Sequence, residues 1–282
     1  MSLPSYCNKR EHVAYYGYIG FCTLVFLFLI APILIIVPLS FNATPYFTFT
    51  QGMLNLDPEA YSMRWYVEMI ENHQWMMALK NSTLIALSAT VVATTLGTLA
   101  AIGLAANNVP FRSAIMAFLI SPMIVPVIIS AAAMYFFYTR LDLSQTFIGI
   151  VLAHAALGTP FVVITVTATL SGFDHSLVRA AYSLGANPIY TFRRVTFPLI
   201  RPGMISGGLF AFGTSFDEVV VALFITGVEQ RTVPRQMWSG IREQISPTIL
   251  AVASLLILMS VALLLTLEVL RRRNAKIRGI SE

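Results

Sequence analysis

The 282-residue chain is 57% hydrophobic and only 11% charged, with a mean hydropathy of +0.75, which excludes an ordinary soluble globular domain. A chain of this length holds about six to eight spanning helices of roughly 20 residues each. Its net charge of +5 reads through its placement rather than as a sign of nucleic-acid binding, and Cys7 and Cys22 give neither a disulfide framework nor a metal spacing.

Residues 1–17 form a short polar tail carrying Lys9 and Arg10. The first span covers 18–40; Pro32 and Pro38 are tolerable there because local adjustment satisfies the freed carbonyls. This run is too long for a cleaved signal and lacks a small-residue cleavage site, so it is expected to stay as an anchor. Residues 41–80 form a long loop in which Met63, Tyr66, Val67 and Ile70 recur at helical spacing beside Trp65 and Trp75. An amphipathic helix at the membrane surface and a small soluble cap both fit that pattern. The second span, 81–106, places Gly97, Ala101 and Ala105 on one face for close helix contact. A turn at Asn107-Asn108-Val109-Pro110 leads to the third span, 113–138, where Pro122 and Pro126 predict a kink or a break. Tyr135, Phe136, Phe137 and Tyr138 form an aromatic belt at its exit. The fourth span, 145–170, contains His154, read as a helix–helix hydrogen-bonding residue. A basic loop over 171–202 precedes the fifth span, 203–227, and the sixth, 248–270; a basic tail, 271–282, closes the chain. The expected fold is therefore an all-α membrane protein with six transmembrane helices.

Charge placement orients it. The two tails, the 107–112 turn and the 171–201 loop hold 12 Lys and Arg, whereas the other three loops hold 6 beside seven acids. The positive-inside rule puts both termini and the 171–202 loop in the cytoplasm.

That loop is the first candidate site. Leu177, Ala180, Ala181 and Leu184 fall at i, i+3, i+4 and i+7, giving a short helix one small-residue apolar stripe. Gly185 suits the left-handed position that ends it, and Asn187-Pro188 suits the cap and first position of another helix. Ala180-Ala181, Gly185 four residues later, and Val195-Thr196-Phe197-Pro198 resemble the EAA loop of permease subunits of ATP-binding-cassette importers. Arg179 stands where that pattern usually has Glu, and Phe197 where it usually has Leu. The resemblance implies that Arg179, Ala180, Ala181, Leu184, Gly185 and Pro198 couple the chain to an ATPase, while the Arg puts any particular salt bridge there in question. The three lysines, Lys9, Lys80 and Lys276, follow no phosphate-loop spacing, so ATP is expected to be bound by partner subunits and no cofactor by this chain.

Asp217-Glu218 is the second candidate site. In a continuous helix Asp217 lies about 21 Å from Gly203 and about 15 Å from Gly227, at membrane depth toward the outer side. A carboxylate at a helix centre costs about 2.5–3.5 kcal/mol, so the pair is expected to face a water-filled cavity, a partner or a cationic solute, or else to pair with basic residues. Gly203, Gly207, Gly208, Gly213 and Gly227 would let this helix bend or let a neighbour approach closely. The loop 228–247, with Pro234, Trp238, Arg242 and Glu243, either covers the cavity mouth or is a solvated connection.

Ser215-Phe216-Asp217-Glu218-Val219-Val220-Val221, Phe224-Ile225-Thr226-Gly227, Pro234 to Arg242 and Ile245-Ser246-Pro247 are similar to the spermidine/putrescine type of importer permease. The resemblance runs from the Trp65-Tyr66 loop to the sixth span. It implies a multi-pass subunit of the cytoplasmic membrane that pairs with a second permease, two ATPase subunits and a periplasmic or lipid-anchored solute-binding protein. It also implies a substrate pathway through Phe216, Asp217, Glu218 and Trp238. Related permeases serve other amino solutes, including opines, unusual amino acids and aminophosphonates. A self-sufficient secondary transporter would predict an inverted repeat and more intramembrane charge. An intramembrane enzyme would need a metal or Ser–His pattern at depth.

Overall fold

A computed structural model describes residues 8–106, 109–174, 176–243 and 246–277. Residues 107–108 of the expected turn, Ile245 and the end of the basic tail lie outside them.

Helix α1 (Lys9–Leu39) starts where the Glu11 carboxylate accepts the Asn8 backbone N–H at 2.8 Å. Pro32 and Pro38 lie inside it without ending it, and its apolar side chains, among them Phe21, Phe26, Phe28 and Leu34, are exposed, as in a helix surrounded by lipid. After α1 the chain makes a small folded cap from α2 (Gln51–Leu54), a 3₁₀ turn at Pro58–Ala60 and α3 (Arg64–Glu71). Buried Asn42 organises the cap: its amide donates to the Tyr46 and Thr48 carbonyls, while its side-chain oxygen accepts from Thr44. Trp65 Nε1 donates to the Asn42 carbonyl at 2.6 Å, and the Ser40 and Tyr66 hydroxyls are 2.7 Å apart. The loop thus holds a packed cap. Trp65 and Met69 fill the cap, and Val67 and Ile70 on α3, with Met63 just before it, are exposed apolar residues. Trp75 is not part of the loop, because the next helix has already begun.

That helix, α4 (His73–Ala105), starts eight residues before the expected second span, since the Asn72 side chain accepts the Gln74 and Trp75 N–H groups and fixes the start there. The third span is two helices, α5 (Arg112–Ile124) and α6 (Val127–Arg140), which meet at 102°. Pro126 lacks an N–H and holds Val125 extended (ψ 133°), whereas Pro122 is carried inside α5. Tyr138 turns inward while Phe136 and Phe137 stay exposed, so the aromatic belt is only partial. α7 (Phe147–Ser171) begins at Thr146, whose hydroxyl accepts the Gly149 N–H at 3.0 Å.

Then come α8 (Ser176–Ser183), α9 (Pro188–Thr191), a five-residue π-helical stretch at Phe192–Thr196, α10 (Phe197–Asp217), α11 (Val220–Ile225), α12 (Val233–Glu243) and α13 (Thr248–Ile277). α1 to α3 and the first part of α13 make one unit; α4 to α12 and the rest of α13 make another. The second unit is centred on α4, α7 and α10, which pack on one another around Ile85, Ala89, Ala93, Ile150, Val162, Val166 and Ala211. Gly97 and Ala101 are buried on the small-residue face of α4. On α10, Gly203, Gly207 and Gly208 are buried. A Cβ on Gly207 would fall 2.7 Å from the Val162 Cα, and the Thr165 hydroxyl donates to the Gly203 carbonyl at 3.0 Å. Gly203 and Gly207 serve close approach of α10 to α7, and Gly208 its approach to α4, where a Cβ would lie 3.0 Å from the Thr94 hydroxyl.

Among the described residues five helices are long and apolar enough to cross a membrane, six if α5 and α6 count as one bent span. Among the described residues there is no sheet, only an isolated bridge between Asn42 and Tyr61. The molecule is an all-α, multi-pass membrane protein.

Candidate functional site

The loop after α7 folds into the expected helix, turn and helix. Asp174 starts α8 by accepting the Ser176 N–H and hydroxyl at 2.8 and 2.6 Å. Gly185 adopts φ +83°, its N–H donates to the Tyr182 carbonyl, and the Ala186 N–H reaches back to the Ala181 carbonyl, both at 3.0 Å. These are the paired bonds that close a helix through a left-handed residue. Asn187 then accepts the Tyr190 N–H at 2.8 Å with Pro188 in the first turn of α9. Leu177, Ala180 and Leu184 are exposed, Leu184 at 88%, and Ala181 is half-buried. Ala181, Leu184, Gly185, Ala186, Asn187 and Tyr190 line an open groove of about 540 Å³. Arg179 is exposed and makes no ion pair among the described residues; Pro198 lies in the first turn of α10, where its missing N–H is harmless.

The carboxylate pair is placed differently from the expectation of an uninterrupted helix over 203–227. α10 begins six residues earlier, at Phe197, and ends at Asp217. Glu218 is extended (ψ 115°), and its Oε1 accepts the Val221 N–H at 2.9 Å. In a continuous helix that N–H would bond the Asp217 carbonyl, so the Glu218 side chain replaces the backbone bond and starts α11 afresh. The pair therefore has two different members. Half-buried Glu218 caps α11, and exposed Asp217 forms no ion pair among the described residues. Just before the break, buried His154 of α7 and Ser215 of α10 share a hydrogen bond of 2.8 Å, in line with the helix-linking role read for the histidine. Phe216 is buried, its ring 5.7 Å from that of Phe212, so it backs the break rather than lining an open surface.

The far end of α11 is held by Arg235, a residue not singled out from the sequence. Its guanidinium donates to the Thr226 carbonyl and hydroxyl and, at 2.7 Å, to the Gly227 carbonyl. Burial, with the neighbouring Arg231, lowers its pKa from the usual guanidinium value. The available signal was a cation eight residues beyond a Thr-Gly helix stop, too common a pattern to mark. Nor is 228–233 a loose connection. The Val233 N–H donates to Ser82 Oγ of α4 at 2.8 Å, and Asn81 Nδ2 donates to the Glu229 and Arg231 carbonyls. Trp238 lies on α12, 48% exposed, on a different element from the carboxylates. No group of three His, Cys, Asp or Glu among the described residues is arranged to hold a metal ion.

A family described as "Binding-protein-dependent transport system inner membrane component" matches residues 93–276. The chain belongs to this family. It is thus a permease subunit of an ATP-binding-cassette importer, an inner-membrane transport component rather than an enzyme. The permease is 31% identical over 255 residues to the spermidine/putrescine transport system permease protein PotC of Haemophilus influenzae, covering 90% of this chain and 96% of that one. It is 33% identical over 241 residues to the putrescine transport system permease protein PotI of Escherichia coli, covering 83% of each. Among solved structures, a chain of a bacterial ABC transporter for alginate import matches with a TM-score of 0.69 at 14% identity, over 96% of this chain and 99% of that one. That last likeness speaks for the fold alone.

Proposed function

We propose that this permease forms half of the pathway by which linear polyamines, putrescine and spermidine, cross the cytoplasmic membrane. The observation that carries the reading is its agreement along nine-tenths of both chains with a permease named for spermidine/putrescine transport. The complete importer adds a second permease, two ATPase subunits that bind the ATP, and a periplasmic or lipid-anchored binding protein. Residues 18–270 form the transmembrane domain in six passes, α5 and α6 together making one. The tails 1–17 and 271–282 and the coupling loop 171–202 face the cytoplasm, a layout supported by the excess of Lys and Arg in those segments. The α8 stripe of Leu177, Ala180, Ala181 and Leu184, ended by Gly185, seats in an ATPase groove.

At the other end of α10, Asp217 meets the cationic solute. Its 21-residue helix is about 30 Å long, so the carboxylate sits near the outer mouth of the pathway, where its insertion cost is below that at a helix centre. Glu218 acts indirectly, by holding α11, and Trp238 offers an aromatic face for an ammonium group. The test reconstitutes the whole importer in proteoliposomes and measures ATP-driven uptake of labelled putrescine and spermidine. Asp217→Asn is expected to raise KM for either amine about tenfold with ATPase association intact, a loss of one charge–charge contact of roughly 1.4 kcal/mol. Glu218→Gln should chiefly lower thermal stability. An importer that hydrolyses ATP in response to another amino solute but accumulates neither polyamine would refute the substrate assignment.

A further inference from the structure

The cap that follows α1 leaves part of α3 uncovered, and the uncovered part has two characters. At about 100° per residue, Trp65, Tyr66 and Met69 fall on one side of the helix, the side turned into the cap. The exposed remainder divides. Val67 and Ile70 lie within about 60° of each other, and Arg64, Glu68 and Glu71 within about 60° on the next flank. A helix with one apolar and one charged exposed flank suits the boundary between hydrocarbon and water better than either phase alone.

The depth of α3 follows from α1, which belongs to the same unit. The stretch from Ile19 to Pro38 carries no charge and has the length, about 20 residues, that crosses the hydrocarbon of a bilayer. Exposed Tyr16 and Tyr18 then stand at its inner end, where aromatics settle. At the outer end α1 stops at Leu39, and residues 41–50 run on without helix. Irregular backbone exposed to lipid is not tolerated inside the hydrocarbon, so the chain has left it by that point. Two hydrogen bonds tie α3 to this exit. The Ser40 and Tyr66 hydroxyls are 2.7 Å apart, and Trp65 Nε1 donates to the Asn42 carbonyl at 2.6 Å. The helix therefore starts one side-chain length from the end of the span. Tyr46, Phe47 and Phe49, exposed just after the exit, are aromatics of the kind found at headgroup level. The exposed apolar sides of α1 already make lipid the neighbour here, so a contact at α3 continues one that the span begins.

We infer that α3 lies in the surface of the outer leaflet, with Val67 and Ile70 set among the lipids and Arg64, Glu68 and Glu71 in water. This placement follows from α1 as a span and stands whichever solute the importer carries. To test it, Val67→Cys, Ile70→Cys and Glu68→Cys are made singly in a Cys7→Ser, Cys22→Ala background and spin-labelled. The full importer is reconstituted in phosphatidylcholine vesicles, and the collision rates of each label with oxygen and with a water-soluble nickel chelate are measured. Labels at Val67 and Ile70 should meet oxygen and be shielded from the chelate, at a depth of about 5–10 Å in the headgroup and acyl boundary. The label at Glu68 should meet the chelate freely. Replacing half of the lipid with phosphatidylglycerol should leave these depths unchanged, because the charged flank has two carboxylates against one guanidinium. Chelate access at Val67 and Ile70 equal to that at Glu68 would overturn the placement, since the cap would then stand in water. So would exclusion of both reagents from Val67 and Ile70, the mark of a covering protein such as the second permease. Insertion that appears only with phosphatidylglycerol would overturn it too, by making the contact electrostatic rather than apolar.

Discussion

Gly185 gives the most exposed test of the coupling turn. It sits at φ +83° with nothing within 4 Å of where a Cβ would lie, so a side chain there meets no neighbour in this chain and the whole penalty is in the backbone. A residue other than glycine costs about 1–2 kcal/mol in the left-handed region, more when β-branched, whereas Asn tolerates it. At 1.4 kcal/mol per factor of ten, Gly185→Val should lower the population of the closed turn about 5- to 30-fold. The two bonds at stake are those donated by the Gly185 and Ala186 N–H groups, so hydrogen exchange of those amides reads the turn directly. In the reconstituted importer, solute-driven uptake should fall in parallel while membrane insertion is unchanged. Gly185→Asn should stay within a few-fold of the natural protein on both measures. A Val variant that keeps its amide protection and uptake, or an Asn variant as damaged as Val, would refute the role of the left-handed turn.

The seam between α7 and α10 predicts that Gly207→Ala, whose Cβ would lie 2.7 Å from the Val162 Cα, destabilises the permease by about 1–3 kcal/mol. The check is a lowered melting temperature in detergent, with Gly103→Ala, open to 4 Å, as the unaffected control. Arg235→Met should strip the end of α11 of its charged donor at a cost of about 1.5–3 kcal/mol, seen as faster exchange across α11 and α12 but not across α4.

Local chemistry made several features legible before any fold was known. Gly185, Asn187 and Pro188 each carry a conformational preference that acts within a turn, and the helix, turn and helix of the loop after α7 followed from them. Pro126 fixed the break in the third span because a missing N–H needs no tertiary partner to act. The apolar spacing located the long helices, although their ends moved wherever a side chain such as Asn72 captured free N–H groups.

The carboxylates were harder. The ten residues of unbroken apolar and acidic sequence over 216–225 read as continuous helix. The choice to break there depends on Glu218 taking the Val221 N–H, on the His154–Ser215 bond anchoring the end of α10, and on Arg235 closing α11 from a helix ten residues on. By itself the sequence settled the membrane class, the turn at Gly185 and which residues carry charge, because hydropathy and turn preference are properties of neighbouring residues. Tertiary structure alone joined His154 to Ser215 and packed 228–233 against α4, because a hydrogen bond between distant segments exists only once packing has brought its two ends together.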